Sequence, residues 1–90
     1  MTRDEMLKEF ARELGVIQAV MQGPTIDLEQ LCLFSGVLHD RGRQLAEIAA
    51  SRPDDVDVHA LGEAFVDTLV QAHEMYQTMA AKEVRDNTIH

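Results

Sequence analysis

His59, Glu63 and Asp67 stand at four-residue steps in a chain of 90 residues. On a helix that spacing puts three side chains on one face. Imidazole with two carboxylates is a donor set suited to a divalent cation such as iron, zinc or manganese. Helical di-iron sites use a Glu-x-x-His pair on each of two helices, a pattern the sequence lacks. A solvated polar face is therefore the simpler expectation, with a helical metal-binding protein as an alternative and no cofactor expected. Glu63 and Asp67 also belong to a longer anionic run. Between Pro53 and Ala81 lie Asp54, Asp55, Asp57, Glu63, Asp67 and Glu74, with no Lys or Arg. A face of this kind steers association with a basic partner, mainly through the on-rate. Asp57, Glu63, Asp67 and Glu74 are the candidate partner-binding residues.

A second constellation is Leu38-His39-Asp40-Arg41-Gly42-Arg43-Gln44, of the form His-Asp-x-x-x-Gln. Over these seven residues the chain resembles the phosphoacceptor motif of one class of bacterial sensor histidine kinases. The resemblance implies that His39 takes a phosphoryl group, that Asp40 acts as its base, and that Gln44 positions water. It also implies a dimer of helical hairpins as host. Gly42 departs from the apolar residue usual at that position, and no glycine-rich nucleotide loop is present. The alternative is an exposed helical turn on which Asp40 pairs with Arg41 or Arg43. His73, between Leu69 and Tyr76, reads as a core or interface histidine. Cys32, the one cysteine, lies in the apolar run Leu31-Cys32-Leu33-Phe34 and reads as a small buried hydrophobe.

Positioning these groups requires helices. Pro24 and Pro53 divide the chain into three segments, each with helical periodicity. The expected fold is all-α: three antiparallel helices over about 3–22, 27–51 and 55–84, in one domain spanning 1–85, with a flexible tail over 86–90. Thr2 with Glu5, and Asp27 with Gln30, have capping-box spacing. Leu7, Phe10, Leu14, Ile17 and Met21 form the apolar stripe of the first helix, which Gly23 can end in a left-handed conformation. The second carries Leu28, Leu31, Ser35, Leu38, Gly42, Leu45 and Ala49 at three- and four-residue steps. The inner face of the third is expected to be Val58, Leu61, Phe65, Leu69, Ala72, Tyr76 and Met79. Short connections imply antiparallel neighbours. Folding back at Arg52-Pro53 sets residue numbers at one level of the last two helices to sum to about 105. Gly42 then lies level with Gly62 or Glu63, in close backbone approach or making room for Phe10 or Phe65.

Leu33, Phe34 and Val37 fall outside the second helix's inner stripe. A three-helix domain of this size buries only about 60–65% of its unfolded surface. These three residues are therefore expected to form a homodimer interface. The charge excludes other classes. Sixteen acidic against eight basic side chains give −8, which opposes direct nucleic-acid binding and docking on anionic membranes. No segment approaches the ~20 apolar residues of a membrane helix. The charged start, Met1 to Glu5, lacks the apolar stretch of a signal peptide, so a cytoplasmic location is expected. Together these readings anticipate a small acidic protein–protein interaction module without catalysis: an adaptor, regulator or inhibitor of the bacterial or phage type, met by a protein with a basic surface. The phosphoacceptor at His39 is the alternative.

Overall fold

The computed structural model describes residues 2–88, with side chains through residue 84. It is all-α. Helix α1 spans Arg3–Met21, α2 Leu28–Ser51 and α3 Val56–Thr88. Each start has a side-chain cap that satisfies an otherwise orphaned amide. The Thr2 hydroxyl accepts from the Glu5 N–H at 3.2 Å. At α2 the capping box is complete: Asp27 accepts from the Gln30 N–H at 2.8 Å, and the Asp27 N–H donates to the Gln30 side chain at 3.2 Å. Asp55 caps α3 rather than starting it, accepting from the Val58 N–H at 3.3 Å. Gly23 donates to the Val20 carbonyl at 3.0 Å. No described glycine has positive φ, so α1 ends without the left-handed residue that Gly23 was expected to supply. Helix α3 runs four residues beyond the expected end at 84. Of the expected tail over 86–90, Ile89 and His90 lie outside the described residues.

The core is a heptad seam. Leu31, Leu38 and Leu45 of α2 meet Val58, Phe65 and Ala72 of α3, and all six are at most 1% exposed. The steps of seven keep one stripe of each helix facing the other. A methyl placed at Gly62 would lie 3.7 Å from Leu45 Cβ, and one at Gly42 would lie 3.8 Å from Phe65 Cβ. Residue numbers at one level thus sum to 107, not 105. The cause is the connection. The non-helical residues are 52–55, so the fold-back is centred one residue later than at Arg52-Pro53.

Helix α1 packs on this pair through the larger side chains Phe10, Leu14, Ile17 and Met21. It contacts α3 from Arg3 at Asp55, through Phe10 at Phe65, to Gln18 at Thr68. The Phe10 and Phe65 rings meet edge to face at 6.2 Å, a favoured aromatic geometry. The Arg41 guanidinium lies 4.9 Å from the Phe10 ring centre, and its Nε donates to Glu13 at 3.0 Å. Thr68 is the one buried polar residue among those described. Its hydroxyl donates to the Ala64 carbonyl at 2.8 Å and accepts from the Gln18 amide at 3.1 Å, so its burial leaves no polar atom unpaired.

Several expected positions change. The inner face of α3 is Val58, Phe65, Thr68 and Ala72, with Leu61, Leu69, Met75 and Met79 packed against it, as expected for all but Thr68 and Met75, while Tyr76 is 41% exposed. His73 is exposed. Cys32 is exposed too. Four consecutive apolar residues sweep about 300° around a helix at 3.6 residues per turn, so Leu31 and Phe34 turn inward while Cys32 and Leu33 turn out. No described helix is long and apolar enough to cross a membrane.

Candidate functional site

The most developed concavity is a groove of about 390 Å³ along the α2–α3 seam. Gly42, Leu45, Ala46 and Ala49 form one wall, and Val58, His59, Gly62, Glu63, Val66 and Asp67 form the other. No α1 residue lines it. On α2, Phe34, Val37 and Arg41 face α1, whereas Gly42, Ala46 and Ala49 face the groove. The groove therefore occupies the side of the helix pair that α1 leaves open. Gly42 and Gly62 stand on its two walls without side chains; a Cβ at either would lie in ordinary contact with the opposite helix, 3.8 Å from Phe65 Cβ or 3.7 Å from Leu45 Cβ.

The four expected partner-binding carboxylates fall into three separate places. Glu63 and Asp67 sit on the groove's α3 wall, beside the exposed Val66. Glu74 borders a different depression with Met75, Thr78 and Met79. Asp57 lies near the start of α3 beside Arg3, Leu7 and Leu61. Glu63, Asp67 and Glu74 are exposed, and no ion pair involves them among the described residues.

Asp57 differs because Arg3 approaches it at 3.4 Å. Arg3 is the hub of this end. It grips Asp55 with two bonds, Nη2 to Oδ1 at 2.5 Å and Nε to Oδ2 at 2.7 Å, and reaches Asp4 at 2.6 Å. The paired guanidinium holds the Asp55 carboxyl down at about 2, partial burial opposes the shift, and the Val58 N–H adds to it. The same contacts, Asp55 first and Asp4 next, raise Arg3 further above its usual value. The acidic run thus has one cation, Arg3, at Asp55 and Asp57 near its start, and none at Glu63 and Asp67 beside the groove among the described residues.

His59 shares the groove's α3 wall with Glu63 and Asp67, but its ring bonds elsewhere. Its Nε2–H donates to the Pro53 carbonyl at 3.0 Å, tying the α2–α3 connection to the first turn of α3. Among the described residues no group of three or more His, Cys, Asp or Glu is placed to hold a metal ion.

His39, Asp40 and Gln44 lie on consecutive turns of α2. His39 is exposed. Gln44 Nε2 donates to Asp40 Oδ2 at 2.9 Å, and Arg43 and Arg41 approach the same carboxylate at 3.3 and 3.6 Å. The carboxylate expected to serve His39 and the amide expected to position water are bonded to each other.

The expected interface residues are uncovered to different degrees: Leu33 is 65% exposed, Val37 39%, and Phe34 half-buried. Phe34 and Val37 line a shallow apolar depression with Val16 and Ile17 of α1, flanked by Arg12 and Glu13.

Sequence reasoning missed Ala46 and Val66 as groove residues, and assigned Gly42 and Gly62 to close approach. The available signal was the recurrence of Ser35, Gly42 and Ala49 at steps of seven opposite the leucines. Comparison of the chain with family models, with curated proteins and with solved structures finds no match.

Proposed function

We propose that the chain is a non-enzymatic protein–protein interaction module, an adaptor, regulator or inhibitor, that receives a basic amphipathic segment of its partner in the α2–α3 groove. The observation that carries this reading is the pair of glycines. Each is about 1 kcal/mol less favourable than alanine inside a helix. Neither is required by packing, because a methyl at either would stand at ordinary van der Waals distance, 3.7–3.8 Å, from its neighbour. What both do is keep one groove open. Its floor is apolar, and Glu63 and Asp67 stand unpaired on its wall. An apolar floor beside like charges suits a helix with an apolar stripe and flanking Lys or Arg, the helix-in-groove mode of recognition.

The test is charge reversal. Glu63→Lys with Asp67→Lys should leave the helical circular dichroism unchanged and reduce the association rate with the captured partner at least tenfold at low salt. The same change at Asp57, already beside Arg3, should do far less. Equal effects at both places, or none at Glu63 and Asp67, would remove the groove from the reading.

A further inference from the structure

The second uncovered surface lies on another side of α2, and its charges say what covers it. Leu33 and Val37 are exposed there, beside Val16 of α1. Running past them is a stripe of exposed or half-exposed residues at heptad steps: Glu29, Leu33, Gly36, Asp40 and Arg43. Gly36 is at its middle, with nothing within 4 Å of the place a methyl would occupy, so no contact within the chain accounts for a glycine there. Glu29 and Arg43 lie seven residues to either side of it. The stripe thus carries Glu29 and Arg43 at equal distances from a small-residue centre, Gly36, flanked by Leu33 on one side and Asp40 on the other.

We propose that this face binds a second copy of the chain, α2 against α2 in opposite directions, about a two-fold axis at Gly36. A two-fold contact must be self-complementary, each patch meeting itself. With Gly36 on the axis, residue numbers across the interface sum to 72. Glu29 of each copy then meets Arg43 of the other, twice over. Leu33 of one lies level with His39 of the other, between its Val37 and its Asp40, and Gly36 lets the two backbones approach. Arg43 is free to reach across, since its contacts within the chain, to Asp40 at 3.3 Å and Glu47 at 4.0 Å, are long and exposed. The groove face does not serve this purpose, because a second copy would bring Glu63 and Asp67 against themselves. The stripe from Glu29 to Arg43 is only ~21 Å long at 1.5 Å per residue. The contact is therefore smaller than a standard interface, and the dimer it forms is a weak one.

The experiment is sedimentation equilibrium from about 10 µM to 1 mM, with circular dichroism as a check on folding. The wild type should shift from monomer to dimer across this range. Leu33→Asp should abolish the shift, with helicity retained. Glu29→Arg alone and Arg43→Glu alone should each weaken dimerisation at least tenfold, and the two together should restore it. Cross-linking fixes the register. Under mild oxidation Gly36→Cys in a Cys32→Ser background should form a disulfide dimer. The wild-type Cys32 should not, because its two copies are offset by ~12 Å along the helices, beyond the reach of a disulfide. A monomer at every concentration overturns the proposal. So does a dimer indifferent to Leu33→Asp, a charge swap without restoration, or a bond through Cys32 in preference to position 36. None of these results bears on the acidic groove, which lies on another face.

Discussion

Replacing the groove glycines by alanine separates stability from binding. In Gly62→Ala the new methyl would rest 3.7 Å from Leu45 Cβ, and in Gly42→Ala 3.8 Å from Phe65 Cβ. Both are contact distances without overlap, so no neighbour has to move. Each substitution removes glycine's helix penalty of about 1 kcal/mol and adds a few dispersion contacts of ~0.1–0.2 kcal/mol each. For a domain of this size 1 kcal/mol corresponds to roughly 4–8 °C in Tm. The double variant should therefore melt about 8–16 °C higher. Gly15 is the internal calibration. It is exposed, with nothing within 4 Å of a methyl, so Gly15→Ala reports helix propensity alone. Thermal unfolding followed at 222 nm, at a protein concentration where the chain is monomeric, gives the three shifts directly. Partner capture supplies the second axis. The stabilised double variant should bind more weakly, because its methyls stand over the groove floor, while Gly15→Ala should bind as the wild type does. If Gly42→Ala or Gly62→Ala lowers Tm while Gly15→Ala raises it, the glycines are needed for helix approach, and the argument that the groove is kept open at the expense of stability fails.

Phe65→Ala removes a fully buried ring that packs edge to face on Phe10 and lies level with Gly42 in the seam, and should cost about 3–5 kcal/mol in urea unfolding. Val66→Ala, one residue on and 54% exposed, should change stability by less than about 0.5 kcal/mol; comparable losses at both positions would contradict the seam. The Arg3–Asp55 clamp predicts an acid dependence. Because the folded carboxyl is held at about 2, below its ordinary 3.8, the clamp's contribution is complete above the ordinary value and disappears as pH falls through about 2. Asp55→Asn keeps a side-chain cap for Val58 but loses the charge, so its stability deficit relative to wild type should be constant from pH 7 to 5 and close towards pH 2. A deficit that does not change with pH would mean that the pair contributes no charge-dependent stability.

The helices were legible because their signals are local. Asp27 with Gln30, the stripe Phe10-Leu14-Ile17-Met21, and the heptads of Leu31-Leu38-Leu45 require no knowledge of what they meet. The positions that changed depend on the partner surface. Thr68 sits between Phe65 and Ala72 on the inner face, and the Ala64 carbonyl and the Gln18 amide show how a threonine is accommodated there. Leu69 packs against the core as expected, whereas Tyr76 is exposed and Met75 packs inward. The register error of two residues arose from one fact invisible in periodicity, that Asp55 is the cap of α3 and belongs to the connection. The acidic run was read as one face because charge was counted along the sequence. In three dimensions Arg3, more than fifty residues away, pairs with Asp55 near its beginning, and the helical turn sends Glu74 to a different depression from Glu63 and Asp67.

The two uncovered faces follow from one asymmetry of packing. On one side of the α2–α3 seam stand the small residues Gly42, Ala46, Ala49 and Gly62, and on the other α1 packs through Phe10, Leu14, Ile17 and Met21. A three-helix arrangement built this way covers one side of the central seam and leaves the other open. The natural completion is a fourth helix laid along the groove. Which helix can take that place is decided by charge. A second copy of the chain offers no described helix that brings a run of Lys or Arg to Glu63 and Asp67; α3 itself carries none from Pro53 to Ala81. Under the two proposals, self-association would fall to the α2 face, where Glu29 and Arg43 balance about Gly36, and the groove would be left for a partner of opposite charge. The surplus of eight acidic residues would then be the reason the two proposed contacts do not compete.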